Sequence, residues 1–190
     1  MTLSIEEVNK GLQLLRADLL NDRLASQRVE IAVVTFGPVR LIQDFVTVDR
    51  WLPPRLQASG PTPMGEALRF AVDQIKIRKR AYQEAGIPYY RPWIWLVTDG
   101  QPTDNWRDAL ESVQPEIKGG RVEMFTIGTD DANFEVLREI SYPRPPVHLK
   151  KAHYQEMFVW LSQSLRPVSR SHPGADLQLP SPSSWGEVVT

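Results

Sequence analysis

WIWLVTDGQPTD, residues 93–104, is the stretch on which the reading of this chain turns. Trp93 to Thr98 run apolar and partly β-branched without alternation, as a strand buried on both faces does. Asp99 ends the run, Gly100 lets the backbone turn sharply, and the turn residues of QPTD follow. A carboxylate at the rim of a dry strand loses solvation, so Asp99 calls for a partner: a helix N-terminus, a cation or water. The plainer alternative is that it braces the turn.

The elements on either side fix the fold class. Ile5, Val8, Leu12, Leu15 and Leu19 recur at steps of three and four, which predicts an amphipathic helix, with Ser4 and Glu7 placed as a capping box. VEIAVVTF (29–36) reads as a buried strand broken by Gly37-Pro38, and VRLIQDFVTV (39–48) as its antiparallel hairpin partner. Helical spacing returns from Met64 to near Arg80, then after WIWLVT from about Asn105 to Ile117, where Gly119-Gly120 stops it. VEMFTIG (122–128) is another strand, a helix follows at about 132–140, PVHLK is a short extended piece, and a last helix spans about 153–165. Strands alternating with helices imply an α/β domain, a doubly wound, mostly parallel sheet with helices on both faces.

That domain occupies residues 1–166. From Pro167 to Thr190 the chain is rich in Pro and Ser and predicts a tail (167–190) that is disordered or draped on the surface, with Trp185, Val188 and Val189 as the alternative of a docking peptide.

Composition narrows the function. Twenty-two basic residues against 23 acidic ones leave no overall field to attract nucleic acid or an anionic membrane. The absence of cysteine removes disulfides, thiolate metal sites and cysteine nucleophiles together. No HExxH or similar spacing involves His148, His153 or His172, which predicts surface or packing roles for them. No apolar run reaches the roughly 20 residues of a membrane span, and the N-terminus has no signal-peptide pattern, so a soluble cytoplasmic protein is expected.

Ligands of open α/β sheets bind beyond the carboxyl ends of the strands. Asp99 lies there. In ASGPTPMGEAL (58–68), Thr62 precedes Pro63 and a helix, so Thr62 is both a fitting N-cap and a hydroxyl facing the crevice. Gly60 and Gly65 have P-loop spacing, but Glu66 and Ala67 stand where Lys and Ser or Thr are required, which disfavours nucleotide hydrolysis. Asp104 reads as the cap of the helix beginning at Asn105. Asp130 and Asp131 either cap the next helix or border the crevice, and KIRKR (76–80) reads as a solvated helix end.

In order, VEIAVVTFG, ASGPTPMGEAL, WIWLVTDGQPTDNW and VEMFTIG resemble the von Willebrand factor type A (VWA) domain, over about residues 5–165. The nearest branch looks like the bacterial TerY-like proteins of tellurium-resistance systems. The resemblance implies a Rossmann-like fold and a metal-ion-dependent adhesion site (MIDAS), usually holding magnesium, whose coordination an acidic residue of a protein partner completes. By that likeness Thr62 and Asp99 are the second- and third-loop ligands, with Mg2+ or Mn2+ as the ion, and Gly60, Gly100 and Asp104 border the partner. Oxygen donors suit such a hard cation.

The first loop of that family, Asp-x-Ser-x-Ser at the end of a central first strand, is found nowhere in this sequence. The expectation is therefore an incomplete site and a first central strand absent from this chain, leaving VEIAVVTF and WIWLVT with unpaired edges open to self-association or strand complementation. Three explanations remain open: a natural protein extending upstream of Met1 with the strand and motif, a fragment completed by another chain, or a domain that closes its sheet differently and binds no metal. The functional expectation is a non-enzymatic interaction module of a tellurium-resistance or stress-response system. The alternatives are a metal-independent assembly subunit and, third, an aspartate phosphotransferase, which Gln101 disfavours because a second aspartate would be expected at that position.

Overall fold

Side chains at helical spacing build α1 (Ile5–Leu20), whose stripe Val8, Leu12, Leu15 and Leu19 is buried. The computed structural model describes residues 5–151, 153–175 and 177–190; Ser4, read as the cap of α1, lies outside them. A second, six-residue helix α2 (Arg23–Arg28) follows, which the periodicity did not indicate. Its cause is local: Asp22 accepts hydrogen bonds from the Leu24 and Ala25 N–H groups, each at 3.1 Å.

β1 (Glu30–Thr35) and β2 (Arg40–Thr47) form the expected antiparallel hairpin. α3 (Met64–Glu84) runs past Arg80, so KIRKR lies inside the helix and not at its end. Its cations find partners on neighbouring elements: Arg78 pairs with Glu30 of β1, and Lys79 Nζ donates to the Arg121 carbonyl at 2.6 Å. Then come β3 (Trp93–Thr98), α4 (Trp106–Lys118), β4 (Glu123–Gly128), α5 (Phe134–Ser141), β5 (Val147–Leu149), α6 (Tyr154–Arg170) and β6 (Gly186–Val188).

β3 and β4 pair in parallel from Trp93↔Glu123 to Thr98↔Gly128, β5 continues the parallel run, and β6 closes the edge antiparallel. Alternation along β3 sends Trp93, Trp95 and Val97 into one core and Ile94 and Leu96 into the other. The first core is completed by α1 and α6, with Leu19, Met157 and Phe158 buried. The second is completed by α3, α4 and α5, with Leu68, Leu110 and Leu137 buried. The architecture is the α/β type, mostly parallel in the four-stranded sheet, with helices on both faces.

The sheet is in two pieces. β1–β2 is one and β3–β4–β5–β6 the other, and among the described residues no strand lies between β1 and β3. The halves are held together by side chains, since Ile31 and Val33 of β1 pack into the same core as Trp93 and Trp95. Full burial of a side chain of this size contributes about 1.5–3 kcal/mol, and Ile31 and Val33, half-buried, contribute less each.

The segment 167–190 differs from the expected disordered tail. α6 continues through Pro167 to Arg170 because Pro167 and Gln163, whose carbonyl it leaves without a helical donor, both face solvent. The last turn is also tied down by Arg170 Nη2 to Asp22 at 2.6 Å and Arg28 Nη1 to the Ser169 carbonyl at 2.9 Å. Further on, β6 pairs with β5, and Trp185 is 1% exposed. Composition suggested disorder because Pro and Ser dominate, but one buried tryptophan outweighs them.

Candidate functional site at the carboxyl end of the sheet

β3 delivers Asp99 to the rim, half-buried, as the strand reading required. The turn is set by Thr98, 2% exposed, whose Oγ1 accepts from the Gly100 N–H at 3.3 Å. Thr62 arrives from the loop before α3 and comes to lie against this turn: a Cβ placed on Gly100 would sit 3.4 Å from the Thr62 Oγ1. Its carbonyl accepts from Thr103 N at 2.9 Å and Met64 N at 2.8 Å, which locks the two loops side by side. Thr62 and the Asp99–Gly100 turn, 37 residues apart in sequence at Thr62 and Asp99, are thus brought together.

Thr62 does not cap α3. Pro63 holds the cap position with no side-chain hydrogen bond, and the first-turn donors are taken by Asp104, which accepts from Gly65 N at 3.1 Å and Glu66 N at 2.8 Å. This corrects the reading of Asp104 as the cap of its own helix, because Asn105, which precedes α4, makes no capping bond and Asp104 reaches across to α3. The carboxylate suits the positive end of that helix. It also relieves Thr62 of the capping role, leaving its hydroxyl on the crevice side. Close approach makes the bridge geometric: a Cβ on Gly65 would lie 2.6 Å from the Trp106 Cα.

Gly60 is placed elsewhere. Its φ of +72° and its contact with the β1–β2 turn, where an added Cβ would meet the Gly37 carbonyl oxygen at 2.8 Å, make it the point where the 58–62 loop rests on the hairpin. Ser59 Oγ donates to the same carbonyl at 2.9 Å. The loop therefore bridges the turn after β1 and the end of β3, over the mouth of the divided sheet.

Asp130 turns away from helix capping, which Asn133 performs for α5 by accepting from Glu135 and Val136 N–H at 3.1 and 3.2 Å. Asp130 meets His148 Nε2 at 2.8 Å and Lys151 Nζ at 3.7 Å. The His148 hydrogen bond, followed by the nearby Lys151 charge, holds its carboxyl below the usual aspartate value. Asn133 Nδ2 also donates to Gln101 Oε1 at 2.8 Å, tying this loop to the one carrying Asp99.

Sequence reasoning passed over Thr129. It follows β4, its N–H bonds the Thr98 carbonyl at 3.1 Å, and its buried hydroxyl has no hydrogen-bond partner among the described residues. The only available signal was its position directly after a strand. Thr62 and Asp99 offer hydroxyl and carboxylate oxygens, the donors a hard divalent cation takes, but two of about six. Among the described residues no three His, Asp or Glu side chains gather as a metal site.

A mostly parallel sheet with loops gathered beyond the carboxyl ends of its strands has the crevice at which open α/β domains bind their ligands. Residues 25–155 match the model of the von Willebrand factor type A domain, and the chain belongs to that family. It is therefore a domain of a general protein-interaction type. A search of the curated proteins finds no match to the chain. Among the described residues no helix is long and apolar enough to cross a membrane.

Proposed function

We propose that the chain is a non-catalytic, cytoplasmic interaction module that captures an acidic residue of a protein partner at the Thr62–Asp99 crest, through Mg2+ or Mn2+. The observation that carries this is the placement of the Thr62 hydroxyl against the Asp99–Gly100 turn with its capping role taken by Asp104. Thr62 and Asp99 would hold the ion, which would supply a positive charge for the partner's carboxylate. Gly100 keeps the rim low enough for a partner to approach, and Asp104 fixes the register of the two loops. The likeness to TerY-like proteins supports a setting in tellurium resistance or stress response.

Two oxygen donors leave most of magnesium's coordination to water or to another chain. The division of the sheet between β1 and β3 leaves two edges for a further strand: one supplied by another chain would pair with both and bring further oxygens to the mouth of the gap. The assembly would then be metal-linked and strand-complemented together.

Magnesium and manganese titrations, followed by thermal unfolding, test the reading on the full chain and on Asp99→Ala. A metal-dependent rise in melting temperature that Asp99→Ala removes is expected. Equal curves with and without metal in both proteins would sink the cation and leave a metal-independent assembly subunit. Phosphoester turnover lost in Asp99→Asn would instead revive the phosphotransferase reading.

A further inference from the structure

Residues 177–190 lie on the body of the domain as a bound peptide lies on a receptor. Their main chain adds a strand to β5: Val147↔Val188, His148↔Glu187 and Leu149↔Gly186 are paired, and Val189 N donates to the Pro146 carbonyl at 2.9 Å. Strand addition of this kind supplies affinity through the backbone and specificity through a side-chain pocket. The pocket is aromatic. Trp185 sits 5.6 Å from Trp160 and 6.1 Å from Trp95 between ring centroids, with Phe125 beside them.

Specificity is built into the seat. Gly186 has no room for a side chain, since a Cβ would lie 2.4 Å from Val147 Cγ1. The body donates to the strap's carbonyls: Trp160 Nε1 to Pro180 at 3.1 Å, Lys150 N to Trp185 at 3.0 Å, and Lys150 Nζ to Ser183 at 2.8 Å. A Pro-x-x-x-x-Trp-Gly spacing, from Pro180 to Gly186, is thus read at three carbonyls, one ring and one glycine.

The strap is buried at its centre and exposed toward its C-terminus, where Arg138 Nη2 donates to the Thr190 carbonyl at 3.0 Å. Trp185 and Gly186 are buried, whereas Glu187 and Val188 beyond them are exposed. Beneath the strap, bounded by Trp95, Phe125, Trp160 and Leu179, is a recess of about 320 Å³. The indole N–H groups of Trp95 and Trp185 find no acceptor among the described residues. The connection from α6 is exposed from His172 to Gly174, and a side chain on Gly174 would meet nothing within 4 Å. A segment seated by one buried aromatic side chain and a set of hydrogen bonds, and fed by an exposed connection, can leave its seat as a unit.

We propose that this groove of β5, Trp95 and Trp160 is a peptide-recognition surface separate from the Thr62–Asp99 crest, and that its partner in trans is the C-terminal segment of a second copy of this chain. The choice of occupant follows from the fit, because the sequence that matches the pocket is the chain's own. When two copies exchange the segment reciprocally, the assembly closes as a two-fold dimer. In the monomer the chain's own strap competes for the seat and lowers the apparent affinity by the fraction of time the seat is filled.

The test uses a fluorescently labelled synthetic peptide, Leu177–Thr190, titrated by anisotropy against the full chain and against two full-length variants that empty their own seat, Trp185→Ala and Gly186→Ala. Circular dichroism first establishes which variants remain folded, and either one suffices. The peptide should bind a folded variant about tenfold or more tightly than it binds the wild type, because self-competition is gone. The same peptide carrying Trp185→Ala should not bind. Light scattering at high micromolar concentration should show a dimer for the wild type and monomer for the variants. A folded variant that ignores the peptide, equal binding by all three proteins, or a wild type that stays monomeric would each overturn the proposal.

Discussion

Asp104 accepts a hydrogen bond at 2.8 Å from the main-chain N–H of Glu66, 38 residues earlier in the sequence, and so caps a helix that is not its own. The loop after β3 and the start of α3 are joined by this carboxylate, which also takes the Gly65 N–H.

Asp104→Ala should therefore cost about 1–2 kcal/mol, the upper range for a lost N-cap, read as a lower urea midpoint with unchanged slope. Hydrogen exchange localises the effect: the Gly65 and Glu66 amides should lose protection together. Asn105→Ala, at the nominal cap of α4, should cost less, since Asn105 makes no capping bond.

Gly11 faces the Phe158 ring across the contact between α1 and α6. A Cβ there would fall 2.0 Å from the ring Cδ2, and Phe158 is 3% exposed, so the ring has little room to yield. Gly11→Ala should destabilise by about 1–3 kcal/mol despite the better helix propensity of alanine. A stabilised variant by thermal unfolding would show that the helices can move apart freely.

Acid should act partly through Asp130. Its folded-state pKa lies below the ordinary aspartate value because of the His148 hydrogen bond, so its contribution to stability is complete above that ordinary value and is lost as pH falls through the lowered one. Denaturation midpoints measured between about pH 5 and pH 2 should fall less steeply for Asp130→Asn than for the wild type. Asp22 is shifted the same way, chiefly by the Ala25 N–H, and remains in both proteins, so a residual acid dependence is expected.

Much of this fold was legible in the sequence because burial leaves a periodic trace. The α1 stripe, the hairpin on either side of Gly37-Pro38 and the unbroken run of WIWLVT each announce which faces are covered. α2 was not legible, since six residues are too few for a period and one aspartate defines the start. The strap was legible as the alternative of a docking peptide at Trp185, Val188 and Val189, but a single Trp in a Pro/Ser-rich segment carries no periodic pattern to decide for it. At the crest, Asp99 and Thr62 could be picked out by position, as a strand end and a helix start. The cross-loop reach of Asp104 could not, because nothing local distinguishes a cap for the next helix from a cap for another.

The divided sheet has a consequence for how the molecule comes apart. Hydrogen bonds between strands normally make a sheet open as one unit, but among the described residues no ladder spans β1 and β3, and packed side chains, the Arg78–Glu30 ion pair and the 58–62 loop join the hairpin to the rest. The hairpin is therefore a separate cooperative unit that can open while β3 and β4 stay paired. Its amides should exchange with solvent at a lower free energy than those of β4, and whatever bridges the gap would fuse two melting units into one.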